Sequence, residues 1–139
     1  SGDLIKQRPD VVKAWLNAEL DAQLYMADES NSNQMIKMVM KQTTGFSEKS
    51  LWKALYATYP ESQGGTKVRM ELPFVFTPEI MSLIEKNTKF LRAAKAINVD
   101  KLRAEAITTQ YADEVLKERG IKAPIGEVLA LPDSAYTGK

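Results

Sequence analysis

Five residues of this chain have side chains suited to holding a small ligand: Glu19, Arg69, Glu71, Phe74 and Phe76. A guanidinium such as that of Arg69 can pair an anionic head group through a two-pronged hydrogen bond. Phe74 and Phe76 can supply the apolar wall that small-molecule sites usually have. Glu19 and Glu71 can face a polar ligand or a protein partner. Each of the five also suits a structural or solvent-exposed role, which is the commoner fate of such residues.

Other chemistry is scarce. The sequence has no cysteine and no histidine. It therefore lacks thiolate nucleophiles, disulfides, cysteine zinc sites and the commonest general base. Glu19 and Asp21 are no acid–base pair, because positions two apart diverge on a helix. Glu71 and Glu79 could act together only if the fold juxtaposed them. No enzyme activity, catalytic residue, metal or cofactor is expected. The net charge of +1 offers no basic excess for phosphates, so no nucleic-acid partner is expected. No stretch is long and apolar enough to span a bilayer. The sequence starts with Ser1 and shows no basic-then-apolar leader, so a processed product or a piece of a longer chain is expected.

The element that must position these residues is Pro9–Ala27, the longest helix-competent run. Pro9 suits the first helical position and Asp10 meets the positive end of the dipole. Asp10, Lys13, Asn17 and Asp21 line one polar face. Val12, Trp15, Leu16, Leu20 and Leu24 cover the other, flanked by Val11, Ala18, Ala22 and Tyr25. That arc is wide enough to pack against more than one neighbour. Glu19 interrupts it, and a buried Glu19 needs a partner such as a backbone N–H or a lysine.

Asp28–Asn33 reads as a polar loop, with Ser30 or Ser32 capping a helix over residues 33–42. Its Met35, Met38 and Met40 suit a core or, less commonly, an adaptable groove. Gly45 suits a left-handed turn. Ser47 caps a helix over 48–58, with Leu51, Trp52 and Leu55 inward and Pro60 closing it. Glu61–Lys67, with Gly64 and Gly65, reads as a mobile loop, or more rarely a phosphate-holding turn; it lacks the rest of a P-loop.

Val68–Thr77 alternates with a period of two, which predicts an extended segment with Val68, Met70, Leu72, Phe74 and Phe76 on one edge. Pro73 restricts it to an edge strand or a strap. No partner strand is evident in the sequence. Thr77-Pro78-Glu79 starts a helix over 78–96 whose expected buried stripe is Ile80, Leu83, Ile84, Asn87, Leu91 and Ala94, with Phe90 bordering it. Lys86, Lys89, Arg92 and Lys95 form a solvated basic face or, less commonly, an anion site. Asn98-Val99-Asp100 breaks the pattern. A last helix over 109–119 presents Tyr111, Ala112, Val115 and Leu116 and stops at Gly120. The tail, with Pro124, Gly126 and Pro132, is expected to be irregular and surface-wrapped. The fold class is mainly α: about five helices and one short extended segment, in a single helical unit.

This order of features resembles the C-terminal part of ABC-importer solute-binding proteins, in the nitrate/sulfonate/taurine family that also includes binders of thiamine-precursor pyrimidines. The resemblance is carried by residues 3–16, DLIKQRPDVVKAWL, and by Ala18–Gln23. It continues through Asn33–Gly45, through Thr77-Pro78-Glu79 to Phe90-Leu91, and through Ile97–Leu102. These are helix-packing signals rather than ligand signatures. Glu19 departs from the family, which usually has an apolar residue there. ESQGGTKVRMELPFVF, residues 61–76, is an insertion not general to it.

The resemblance implies the helical portion of a two-lobed α/β periplasmic-binding-protein type 2 fold, here as a fragment. Its implied role is ligand capture by lobe closure and delivery to an ABC permease, in the periplasm or another extracytoplasmic space. The ligand would be a small organic or anionic solute such as a sulfonate, nitrate or pyrimidine. Helix faces meant for the rest of the receptor would be left open, so self-association of the fragment is expected. The alternative is a small helical protein-interaction or dimerisation module.

Overall fold

The computed structural model describes residues 2–103 and 106–138. The architecture is mainly helical, as the sequence predicts. Six helices are described: α1 (Gly2–Gln7), α2 (Pro9–Ala27), α3 (Ser32–Met40), α4 (Glu48–Leu55), α5 (Pro78–Ala93) and α6 (Gln110–Arg119). The helix beyond the expected five is α1, formed by the lead-in. One small antiparallel sheet pairs β1 (Val68–Leu72) with β2 (Gly126–Leu129). The chain divides into two units, one of Ser1–Asn17 and Pro73–Ala123, the other of Ala18–Leu72 and Pro124–Lys139. No described helix is long and apolar enough to cross a membrane.

In the first unit, α2 and α6 are tied by polar contacts. Lys13 pairs with Glu118 and, at 3.4 Å, with Glu114. Arg119 donates to the Asn17 side chain at 3.3 Å. Lys13 and Asn17 stood on the face expected to be solvated. The contacts with α6 draw that face inward, and Val11, Trp15, Ala18 and Ala22 turn outward instead. Trp15, expected to be buried, is 65% exposed. Ala112, Val115 and Leu116 of α6 are buried, as the helical spacing predicts.

α5 begins as expected: the Thr77 hydroxyl accepts from Ile80 N–H, with Pro78 in the first helical position. Its inward face differs from the expected one. Ile80 and Ile84 are half-buried and Thr88 is buried, whereas Leu83 is 56% and Phe90 71% exposed, and Leu91 and Ala94 are exposed too. The helix stops three residues short of expectation, because Lys95 turns left-handed (φ 58°) and Ala96 N–H returns to Leu91 O. α6 ends in the same way at Gly120 (φ 65°), where Ile121 N–H returns to Leu116 O.

The second unit has its own core. Trp52 of α4 and Tyr56, the residue that follows the helix, pack with Ile36 of α3, Leu72 of β1, and Val128 and Leu131 of the tail. The Trp52 ring lies 5.5 Å from Tyr56 and 5.4 Å from Tyr136. α4 is capped at Ser47, which accepts from Ser50 N–H. Neither Ser30 nor Ser32 caps α3. Asp28 takes the capping role one turn earlier, at a 3-10 turn over Glu29–Asn31, and Ser32 is buried inside the helix start. The two bonds from Ser30 hold the Asp28 carboxyl below its usual range.

Two expectations about strands are corrected. The extended segment does have a partner, and the tail supplies it. Instead of wrapping the surface irregularly, the tail forms β2 and continues to Leu131, which bonds Tyr56 O and Thr58 N–H beside Ala57. The alternation of β1 also fails. Val68 faces Leu129 and Met70 faces Val128, so Arg69 is the extra residue of a bulge. Past the bulge Met70 is exposed, and so is Phe76 beyond the strand.

Substituting either cap tests these helix starts. Ser47→Ala and Thr77→Ala are each expected to cost about 1 kcal/mol, read from urea unfolding midpoints at unchanged slope. Wild-type midpoints for both variants would refute the capping assignments. Glu71 and Glu127, both exposed, stand directly opposite in the ladder. Facing like charges are unfavourable, so Glu127→Lys is expected to stabilise by about 0.5 kcal/mol at low salt, with the gain shrinking as salt is added.

Candidate functional site

One concavity lies in the second unit, between the loop after α4 and the far end of β2. The loop has a strict local construction. Gln63 N–H and Gly65 N–H both return to Pro60 O, and Gly64 N–H returns to Glu61 O with Gly64 left-handed at φ 79°. Gly65 has no room for a side chain, since a Cβ there would lie 1.9 Å from Tyr59 O. Ala130 N–H to Lys67 O and Thr58 N–H to Leu131 O anchor both ends of the loop to the tail. The stretch expected to be mobile is thus a hydrogen-bonded turn built on its two glycines.

The cleft so formed has a volume of ≈ 520 Å³, within the range common for small-molecule sites. Leu129, Leu131 and Pro132 make an apolar side, and Tyr59 contributes an aromatic ring. The ring is held by its hydroxyl, which donates to Lys53 O at 3.1 Å, and by the Arg69 guanidinium, 5.1 Å from the ring centroid. Glu29, Glu61 and Lys67 also line the cleft, and their side chains are exposed. Among the described residues none of these three makes an ion pair. Two smaller hollows are lined by Met35, Met38 and Val39 (≈ 470 Å³) and by Glu85, Lys89 and Asp100 (≈ 500 Å³). The first gathers two of the three α3 methionines.

The five residues expected from sequence fall as follows. Glu19 is half-buried in α2, and its carboxylate accepts from Gln23 at 2.8 Å, so its partner is an amide rather than a backbone N–H or a lysine. Arg69 is turned by the bulge toward α4; it donates to Ala54 O at 2.9 Å and covers the Tyr59 ring, while its Nε is buried with no partner. Glu71 is exposed opposite Glu127. Phe74 is half-buried and left-handed at φ 61°, a strained setting for a bulky residue. Glu19, Arg69 and Glu71 belong to the second unit, and Phe74 and Phe76 to the first. No hydrogen bond or ion pair joins any two of the five among the described residues. Arg69 serves the cleft by bracing Tyr59.

Sequence reasoning missed Glu29, Tyr59, Glu61 and Lys67 as a group. The signal available was the Gly64-Gly65 pair, which marks where the chain must turn tightly. No group of three or more acidic residues suited to a metal occurs among the described residues.

Tyr56, at the floor of the same unit, is buried, and its hydroxyl donates to Met26 O at 3.1 Å. Burial, with a smaller contribution from Tyr25, pushes that hydroxyl up to about 12. The fold therefore favours the neutral form, whereas an unfolded tyrosine ionises near about 10. The stability this represents, on the order of 2 kcal/mol, is full below about pH 10 and is lost as pH rises toward the folded value. Tyr56→Phe is expected to start less stable, through the lost hydrogen bond, and to show a shallower alkaline loss in urea titrations across that window. Parallel losses in the two proteins would exclude Tyr56 as the cause.

No protein-family model, curated protein or solved structure matches this chain.

Proposed function

We propose that this chain is the helical C-terminal part of a solute-binding component of an ABC importer, acting without catalysis. The observation that carries the reading is two uncovered apolar helix faces, one on α2 and one on α5. α2 exposes Val11, Trp15, Ala18 and Ala22 along one side, and α5 exposes Leu83, Phe90 and Leu91. Faces of this kind call for a covering surface. The resemblance supplies one: the remainder of a two-lobed receptor, whose lobes close on a small organic or anionic solute and present it to a permease. Closure would then be a ligand-shifted hinge equilibrium. Glu19, Arg69, Glu71, Phe74 and Phe76 are the residues of this part proposed to approach ligand.

Intact mass and N-terminal sequencing of the natural gene product from the cell envelope test the proposal. A much longer chain, cleaved after a secretory leader and binding a solute saturably, is the expected result. A product of this length found in the cytoplasm would overturn it.

A second reading, a helical interaction or dimerisation module, is favoured by the closed core of the second unit, which Trp52, Tyr56, Val128 and Leu131 fill without outside help. The natural gene product separates the two: a folded protein of this length that binds a protein partner, through a contact that Phe90→Ser and Trp15→Ser abolish, supports the module.

A further inference from the structure

The hollow on α3 gathers sulfur that neither reading uses. Met35 and Met38 both line it, with Val39, Lys41 and Gln42. They stand three apart within α3, so they are neighbours on one side of the helix. Met35 packs against the core, while Met38 is 47% exposed. A thioether is a soft donor and selects soft cations such as Cu(I). The chain offers such an ion no stronger ligand, because it has neither cysteine nor histidine. No carboxylate lines the hollow, so calcium or magnesium would meet none of the charged oxygen ligands that hard cations take.

We infer that this hollow binds a soft monovalent cation of the Cu(I) or Ag(I) kind, held between the sulfurs of Met35 and Met38. The spacing suits the bonds. Two sulfurs on opposite sides of such an ion stand about 5 Å apart, twice a metal–sulfur bond of about 2.3 Å. Cβ atoms three positions apart on a helix are separated by about 5–6 Å. The three rotatable bonds of each methionine let its sulfur settle at that distance. Met40 is no third ligand: it is two positions from Met38, diverges from it on the helix, and does not line the hollow. Lys41 opposes the ion, but it is exposed, so solvent and salt weaken its repulsion. All the lining residues belong to the second unit, so the site is independent of the receptor reading and its test needs only this chain.

The probe is silver(I) nitrate, an air-stable relative of Cu(I), titrated in chloride-free buffer and followed by the methyl resonances of isotope-labelled methionine. The methyls of Met35 and Met38 are expected to move together and first, saturating with a Kd of about 0.1 mM or tighter. Met70, the single methionine of β1, is a built-in control, since it is 43% exposed and has no methionine one turn away. Its methyl should hold still until silver is about tenfold higher. Zinc(II), which is less soft, should leave the pair unmoved. Met35→Leu and Met38→Leu keep volume and apolarity and remove only the sulfur, so each should weaken silver about tenfold in a chain whose amide spectrum stays folded. Met70→Leu should leave the affinity unchanged, and Lys41→Gln should tighten it about twofold. The inference is overturned if Met70 titrates alongside the pair, or if only one of the two methyls moves. It also fails if zinc moves them as silver does, or if Met38→Leu binds silver as wild type.

Discussion

Ending the chain at Ala123 is expected to unfold the second unit. The removed tail supplies β2 and two buried core residues, Val128 and Leu131. It also supplies Tyr136, which packs on Trp52, and the backbone that Asn33 grips from both sides. Asn33 Nδ2 donates to Ala135 O at 2.8 Å, and its Oδ1 accepts from Thr137 N–H at 2.8 Å. Losing two buried aliphatic side chains alone removes on the order of 4 kcal/mol. The opened core and the bared edge of β1 add to that. Domain stabilities are about 5–15 kcal/mol, so little or nothing remains. Amide exchange is the measurement: protection across α3, α4 and β1 should collapse to the unfolded rate. Addition in trans of a peptide covering residues 124–138 should restore part of it, since strand addition and side-chain insertion need no covalent link. Unchanged protection in the shortened chain would show that α3 and α4 hold the unit without the tail.

Trp52→Ala is expected to be the most damaging single substitution. Trp52 is 1% exposed and packs at a tilt against the rings of Tyr56, just after its helix, and of Tyr136 in the tail. Truncating such a residue costs about 3–5 kcal/mol, since the cavity does not close fully. The damage has a second route, because Tyr136 loses the ring it rests on and the tail loosens. Trp52→Phe should cost far less than Trp52→Ala. It keeps most of the packing and removes an indole N–H that is buried without a partner. Chemical denaturation of the three proteins checks the order. A Trp52→Phe variant as unstable as Trp52→Ala would mean that the indole nitrogen has a stabilising role.

Much of the local structure was legible because its causes are local. Pro9 and Asp10 start α2, Ser47 starts α4, Thr77 and Pro78 start α5, and Gly120 ends α6. In each case the residue's own geometry, or a hydrogen bond within one turn, decides the boundary. Errors came where two residues competed for one turn, or where the deciding partner was distant. The cap of α3 was misplaced because Asp28 captured the turn first. The edge of β1 was misread because the bulge at Arg69 resets alternation, and a bulge answers to the strand opposite.

The candidate site was less legible still. The stretch around Gly64 and Gly65 read as a mobile loop, and its value as a cleft wall depends on Leu129 and Pro132, more than sixty residues later. Arg69 read as an anion ligand from its chemistry alone. Its reach to Ala54 O and to the Tyr59 ring became visible only in three dimensions.

By itself, the sequence determined the mainly helical class, the positions of most helix ends, the lack of thiol and imidazole chemistry, and which side chains were apolar. Tertiary structure alone decided which apolar faces were covered. Trp15, Leu83 and Phe90 carry the same spacing signals as Leu51 and Trp52, yet only the latter pair is buried. Periodicity records that a face can be buried, because it depends only on neighbours one turn away. Whether a partner arrives depends on long-range pairing, here a tail whose Val128 and Leu131 close one core and leave the faces of α2 and α5 open.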